Sequence, residues 1–273
     1  MDRTLYLNEN KGLTVFRDGP SIWVREDGRA GRRIPLRLVG RVVIIGNLRL
    51  EAGVITLFTN SDIPVTFINH RGDAVAVAIP YNHHLPMHYE EQKVFLEAEG
   101  NIDRYKGWLY ARRKETQINV IRRISKGVAE LFATKGFREK DYQRFIERFK
   151  PSRDEQWKVV FGVTSNLFRE MIIGSIVKAD LDPHLGVLHR RHNFSLALDI
   201  CHVLEAEIDI QCIQFLKIER EKGYMAKDRI SWSVSKEGMK DIIHRFENRR
   251  KQIHATVERL IDDIFELMRE LRR

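Results

Sequence analysis

Cysteine is nearly absent from this chain. Cys201 and Cys212 stand eleven residues apart with no CxxC pair, which excludes a zinc ribbon and argues against a disulfide framework. Long apolar runs are missing too. None approaches the roughly eighteen residues that span a bilayer, and the opening MDRTLYLNEN has no apolar h-region. The expectation is a soluble protein of the reducing cytoplasm with no membrane partner. No G-x-S-x-G, Walker loop, G-x-G-x-x-G or H-E-x-x-H occurs, so common hydrolases, nucleotide binders and zinc proteases have no motif support. There are no internal repeats or low-complexity segments.

What the chain does have is positive charge. Lys and Arg number 47 against 38 acids, a formal charge of +9 over 273 residues. The cations cluster as GRAGRR (28–33), ARRK (111–114), RR (122–123), HRRH (189–192) and HRFENRRK (244–251), a pattern that favours a polyanion such as nucleic acid over a merely solvated surface. Hydrophobic residues make up 43%, enough for a real core.

Residues 1–80 read as strands. LTVFRD, SIWVRE, RRIPL, RVVIIGN, PVTFIN and AVAVAI are short, rich in β-branched and aromatic residues, and separated by turn residues. Asp18-Gly19-Pro20 and Asp27-Gly28-Arg29 read as hairpin turns. The run Val42 to Ile45 fits a strand covered on both faces. A helix over 49–60 interrupts the strands, with Leu50, Val54, Leu57 and Phe58 at helical spacing. Residues 81–90 form a polar link in which Pro86 separates His84 from His88, which works against a helical metal-binding pair. Helices are expected at 89–98, 101–133, 139–149, 155–180, 193–206, 209–222 and 235–271, the last with a stripe from Met239 to Leu271. The fold class is α+β: a β-rich domain at 1–80, a linker at 81–90 and a helical domain at 91–273.

The densest chemistry lies in LDPHLGVLHRRHNFSLALDICHVLEAEID (181–209). His189 stands in a turn, followed by Asp199, His202 and Glu205 on a helix. Three-residue steps place Asp199 beside His202, and His202 beside Glu205. Imidazole and carboxylate are metal-ligand types, and beside positive charge they fit metal-assisted phosphoryl transfer on nucleic acid.

Three pieces of the chain together resemble a known family. They are LYLNENKGLTVFRDG with IPLRLVGRVVIIGNLRLEAGVITLFTNSDIPVTFINHRGDAVA, then KETQIN (114–119), then LDPHLGVLH with LALD ten residues on. The chain resembles the CRISPR-associated spacer-acquisition integrase and endonuclease, the first protein of the adaptation pair. The resemblance implies a β domain that mediates homodimerisation and a helical domain with one Mg or Mn site. It also implies double-stranded DNA as ligand and a small ferredoxin-like partner. The implied chemistry is attack of a DNA 3′-hydroxyl on a repeat phosphodiester.

Carried over one position at a time, the family's ligand histidine falls on His189 and its LALD aspartate on Asp199. The acid that follows becomes His202. The glutamate seven residues before a tyrosine, here Tyr142, becomes Lys135, with Glu130 and Glu139 as possible stand-ins. The aspartate three residues before Asn166 becomes Val163. The family positions for catalysis are therefore His189, His202 and Lys135, and any metal would fall to His189, His202 and Asp199. A lysine about 4 Å from a divalent ion opposes it by roughly 8 kcal/mol at an effective dielectric of 20. The expectation is a DNA-binding member of this family with weakened or lost catalysis. The alternatives are an active enzyme with an atypical ligand set and a protein-only scaffold. Phosphate contacts are expected from Arg112, Arg113, Arg190, Arg191, Arg249 and Arg250.

Overall fold

The structure, a computed structural model, describes residues 3–10, 12–69, 72–80, 85–151, 154–227 and 231–270. His84 therefore lies outside the described residues, as do Leu271 and residues 81–84 of the link expected at 81–90. Eight strands come first: β1 (Arg3–Asn8), β2 (Thr14–Asp18), β3 (Ser21–Arg25), β4 (Arg32–Pro35), β5 (Val39–Ile45), β6 (Arg49–Leu50), β7 (Val65–Ile68) and β8 (Ala74–Ala78). Helix α1 (Ala52–Thr59) separates β6 from β7.

One four-stranded sheet has the order β1-β5-β7-β8, with β1, β5 and β7 parallel and β8 antiparallel. A second, β4-β3-β2-β6, is built on two hairpins. Their turns fall at the expected Gly19 and Gly28, whose positive φ of 60° and 75° is the backbone region glycine enters freely.

Strand β5 shows why its sequence is apolar throughout. Successive side chains point to opposite faces. Val42 and Ile44 enter a small core with Ile22, Val54 and Phe58. Val43 and Ile45 enter the main core with Phe168 and Ile172. The first sheet is thus a partition between β layer and helices.

The helical part comprises α2 (Tyr89–Glu97), α3 (Glu99–Ile124), α4 (Lys126–Lys135), α5 (Glu139–Glu147), α6 (Asp154–Lys178), α7 (Ser195–Lys222) and α8 (Lys236–Glu270). Together with the strands these bear out the α+β class. Helix α6 is long and apolar enough to pass for a membrane span, contrary to the expectation of no such run. It is the centre of the fold, with Val160, Leu167, Phe168, Met171 and Ile172 buried against its neighbours. A helix apolar all round is one enclosed on all sides.

Three sequence expectations change. The helix expected over 101–133 breaks at Ser125, whose φ of −151° and ψ of 106° are extended. The two helices expected over 193–222 are one, because the acids at the expected gap find partners: Arg123 Nη1 bonds Glu207 at 2.6 Å and Tyr142 Oη donates to Asp209 at 2.7 Å. A hairpin of β9 (Met225–Lys227) and β10 (Trp232–Val234) was unforeseen. Val163 and Asn166 form a seam. Asn166 Nδ2 donates to the Gly72 carbonyl, and a Cβ on Gly72 would lie 2.2 Å from Val163 Cγ2. Both cysteines are buried, free and on α7.

Candidate functional site

The turn before α7 is built to hold one imidazole. Asp182 Oδ1 accepts from His184 N at 2.8 Å, and Gln92 of α2 clasps the Asp182 backbone from both sides, at 2.6 and 3.2 Å. Phe194 enters α7 with φ of 60°, a left-handed conformation rare for a bulky residue. Its N–H donates to His184 Nδ1 at 3.0 Å. Gly186 is required by close approach, since a Cβ there would fall 2.4 Å from the Ser195 carbonyl carbon.

Inside the turn lies the Asp199 carboxylate, fully buried. It accepts from the backbone N–H groups of Val187 at 2.6 Å, Leu188 at 3.2 Å and His189 at 3.2 Å. It also meets His189 Nδ1 at 2.8 Å. An ionised carboxylate only accepts, so the proton sits on Nδ1 and the Nε2 lone pair is left for another partner. This carboxylate–histidine pair is the arrangement that fixes the tautomer of a ligand or base. The rings of His192 and His202 flank it, with centroids at 6.1 and 6.3 Å. His192 carries no ligand spacing in the sequence; its place at the end of HRRH is the only signal there.

On the neighbouring face of α7 the chemistry is different. Arg113 of α3, expected on the DNA surface, points inward and its side chain is only 5% exposed. Its Nε and Nη2 grip Glu139 at 3.2 and 2.8 Å, and its Nη1 meets Glu205 Oε2 at 2.7 Å and also the His202 carbonyl. The assignment of Arg113 to phosphate binding is therefore corrected: two carboxylates and a carbonyl already hold its donors. Gln117 and Gln143 add bonds to Glu139 at 2.8 and 2.9 Å. Glu139, read from the sequence as a simple helix charge or a stand-in ligand, is the hub of the cluster.

Burial alone would push Glu139 up, but hydrogen bonds from Arg113, Gln117 and Gln143 outweigh it and hold its carboxyl at about 2. Glu205 is likewise held below the ordinary range: burial raises it, and His202 and Arg113 overcome that. Behind them Asp209 goes the other way. Burial pushes its carboxyl up to about 7, with Tyr142 as its hydrogen-bond donor.

The other named residues sort by partner. His202 Nδ1 lies 3.6 Å from Glu205. Lys135 is exposed at the end of α4 and makes no hydrogen bond or ion pair among the described residues. Arg112 is paired with Asp263 at 2.7 Å and Glu115 at 3.0 Å. Arg249 faces Glu207 at 3.6 Å and Arg250 faces Glu247 at 3.5 Å. Arg190 and Arg191 are exposed directly beside His189, and Arg190 anchors one nitrogen on the Leu96 carbonyl at 3.1 Å. A separate cleft of about 2190 Å³ opens between the first sheet, α6 and α8. It contains neither His189 nor His202.

An N-terminal sheet unit packed on a helical unit, with a carboxylate-oriented histidine at the head of a core helix, defines a class of two-part α+β proteins. The family model for "CRISPR associated protein Cas1" matches residues 5–155, more than half of the chain. The chain belongs to the Cas1 family, whose proteins serve CRISPR spacer integration and bind DNA. Among relatives, it is 24% identical to a CRISPR-associated endonuclease Cas1 of Fusobacterium nucleatum, over 96% of this chain and 89% of that protein. Among solved structures it resembles a Cas1 protein from Thermotoga maritima, with a TM-score of 0.79, 14% identity and 97% of each chain covered. It also resembles a casposase bound to integration product, with a TM-score of 0.74, 14% identity and coverage of 99% and 91%.

The family's endonucleases are generally metal-dependent. The donors here do not fit a hard divalent ion. Such ions take carboxylate and carbonyl oxygen, yet Glu139 spends its oxygens on four N–H donors and Glu205 is bound to a guanidinium. Asp199 is turned into the loop. Among the described residues, no three His, Cys, Asp or Glu side chains are grouped to hold a metal.

Proposed function

We propose that this Cas1-family chain is a DNA-binding subunit of spacer acquisition that has lost metal-dependent strand cleavage and transfer. One observation carries the reading. Glu139 and Glu205, which follow the replaced positions Lys135 and His202 by four and three residues, are both bound to Arg113. Among the described residues His189 belongs to no group of three His, Cys, Asp or Glu side chains able to hold Mg or Mn. DNA binding is retained through Arg190 and Arg191, which flank His189 on the exposed turn, and through Lys135, a free cation able to hold a phosphate directly. Family resemblance supplies the rest of the reading: duplex DNA as ligand, a homodimer through residues 1–80, a small ferredoxin-like partner and a cytoplasmic setting. Arg112, Arg249 and Arg250 contribute less, because acids already neutralise them.

A second reading, an active Mg- or Mn-dependent integrase with an atypical ligand set, draws on the intact His189–Asp199 pair. A strand-transfer and nuclease assay on duplex DNA with Mg or Mn separates the two. The proposal expects no turnover together with duplex binding that weakens steeply with salt. Turnover that needs metal and disappears in His189→Ala would sink it.

A further inference from the structure

The Arg113 cluster has a role that a lost ligand set does not by itself explain. A buried guanidinium is an expensive thing to hold in a core, and this one places four of its five N–H groups on acceptors. Glu139 accepts two bonds from it and one each from Gln117 and Gln143, which uses about all the acceptor sites a carboxylate has. Glu205 comes from α7 and Glu139 from the first turn of α5, so one side chain of α3 ties three helices together. Gln117, one turn along α3 from Arg113, lies on the same face and supports the same carboxylate. Two anions from separate segments converging on one buried cation is the layout of a structural cation site.

We infer that Arg113 is a built-in cation that bridges Glu139 and Glu205 in place of a divalent ion, so the fold around α5 and α7 is complete without metal. The inference rests on the non-catalytic reading above and goes a step further. It assigns the two carboxylates to a protein cation and makes them latent metal ligands. Replacing the arginine by alanine leaves two facing carboxylates with no guanidinium between them. Those oxygens, with the His202 carbonyl, are the hard-donor set that Mn²⁺ accepts.

The test compares thermal unfolding of the full chain and of Arg113→Ala, each in EDTA and in about 1 mM Mn²⁺, an excess sufficient to reveal a weak site. The wild type is expected to melt at the same temperature in both. Arg113→Ala is expected to melt about 10 °C lower in EDTA and to recover at least half of that loss in Mn²⁺. Adding Glu205→Gln to Arg113→Ala should abolish the recovery. If Arg113→Ala is isolated unfolded, the comparison becomes recovery of helical circular dichroism on dilution from urea, with Mn²⁺ expected to restore it and EDTA not. An Arg113→Ala protein that Mn²⁺ neither stabilises nor refolds overturns the inference, even with an inactive wild type. Metal-dependent strand transfer by the wild type instead overturns the non-catalytic reading, a distinguishable result.

Discussion

Two neighbouring faces of α7 make opposite use of the same side-chain types. On one, the Asp199 carboxylate points into a loop, collects three backbone N–H groups and orients His189 with an open Nε2. On the other, Glu205 and the adjoining Glu139 are both bound to the buried guanidinium of Arg113. The first face keeps a histidine poised toward solvent; the second locks helices together. Both are densely hydrogen-bonded, so a polar network alone does not mark a working site. The difference lies in what each carboxylate meets: Asp199 a histidine ring with a second nitrogen free, Glu139 and Glu205 a buried guanidinium.

The largest expected effect breaks the first face. Asp199→Ala removes the acceptor of three loop amides and should destabilise the protein by about 4 kcal/mol in urea unfolding. His189→Ala should cost under about 1 kcal/mol, because the ring is held by the loop rather than holding it. Equal losses would mean the imidazole itself supports the turn.

The next effect has the opposite sign and belongs to the second face. Burial raises Asp209 from an ordinary 3.8 to about 7. The folded chain thus holds this proton more tightly than the unfolded chain. Stability from this group is full below about pH 4, declines as pH rises to about 7, and stays low above that. Asp209→Asn removes the penalty and keeps an acceptor for Tyr142. It should stabilise the protein by about 2 kcal/mol at pH 8 and by almost nothing at pH 4. An equal shift at both pH values would show that the carboxyl does not titrate in this range.

The smallest effect sharpens the contrast between free and paired arginines. Arg191→Ala should leave stability within about 0.5 kcal/mol and lower the salt slope of duplex binding by about 1. Arg112→Ala, already paired with Asp263 and Glu115, should cost about 1 kcal/mol and leave the slope unchanged. The reverse outcome would move the DNA surface from the His189 turn to the α3–α8 face.

Much of this was legible in the sequence for definite reasons. Short β-branched and aromatic runs between turn residues marked the strands, and the run Val42–Ile45 announced a strand with two covered faces. LDPHLGVLH and LALD singled out His189 and Asp199 as metal-ligand types, but not that the buried carboxylate orients the ring. The Arg113 cluster was not legible. Arginines in ARRK look alike on paper, and only the placement of α5 and α7 against α3 selects one of them for burial. Glu139 and Glu205 were legible as ligand-type carboxylates, but nothing in the sequence showed that an arginine would take them. The break at Ser125 and the continuity of α7 through Asp209 were set by tertiary partners rather than local preference.

The most direct measurement of the central claim is an electron paramagnetic resonance titration of the wild-type protein with Mn²⁺. If Arg113 has taken the carboxylates, the signal of free aqueous Mn²⁺ should rise in proportion to metal added, with no protein-dependent loss. Stoichiometric loss of that signal, abolished by His189→Ala, would show that the site still takes a divalent ion and would contradict the account.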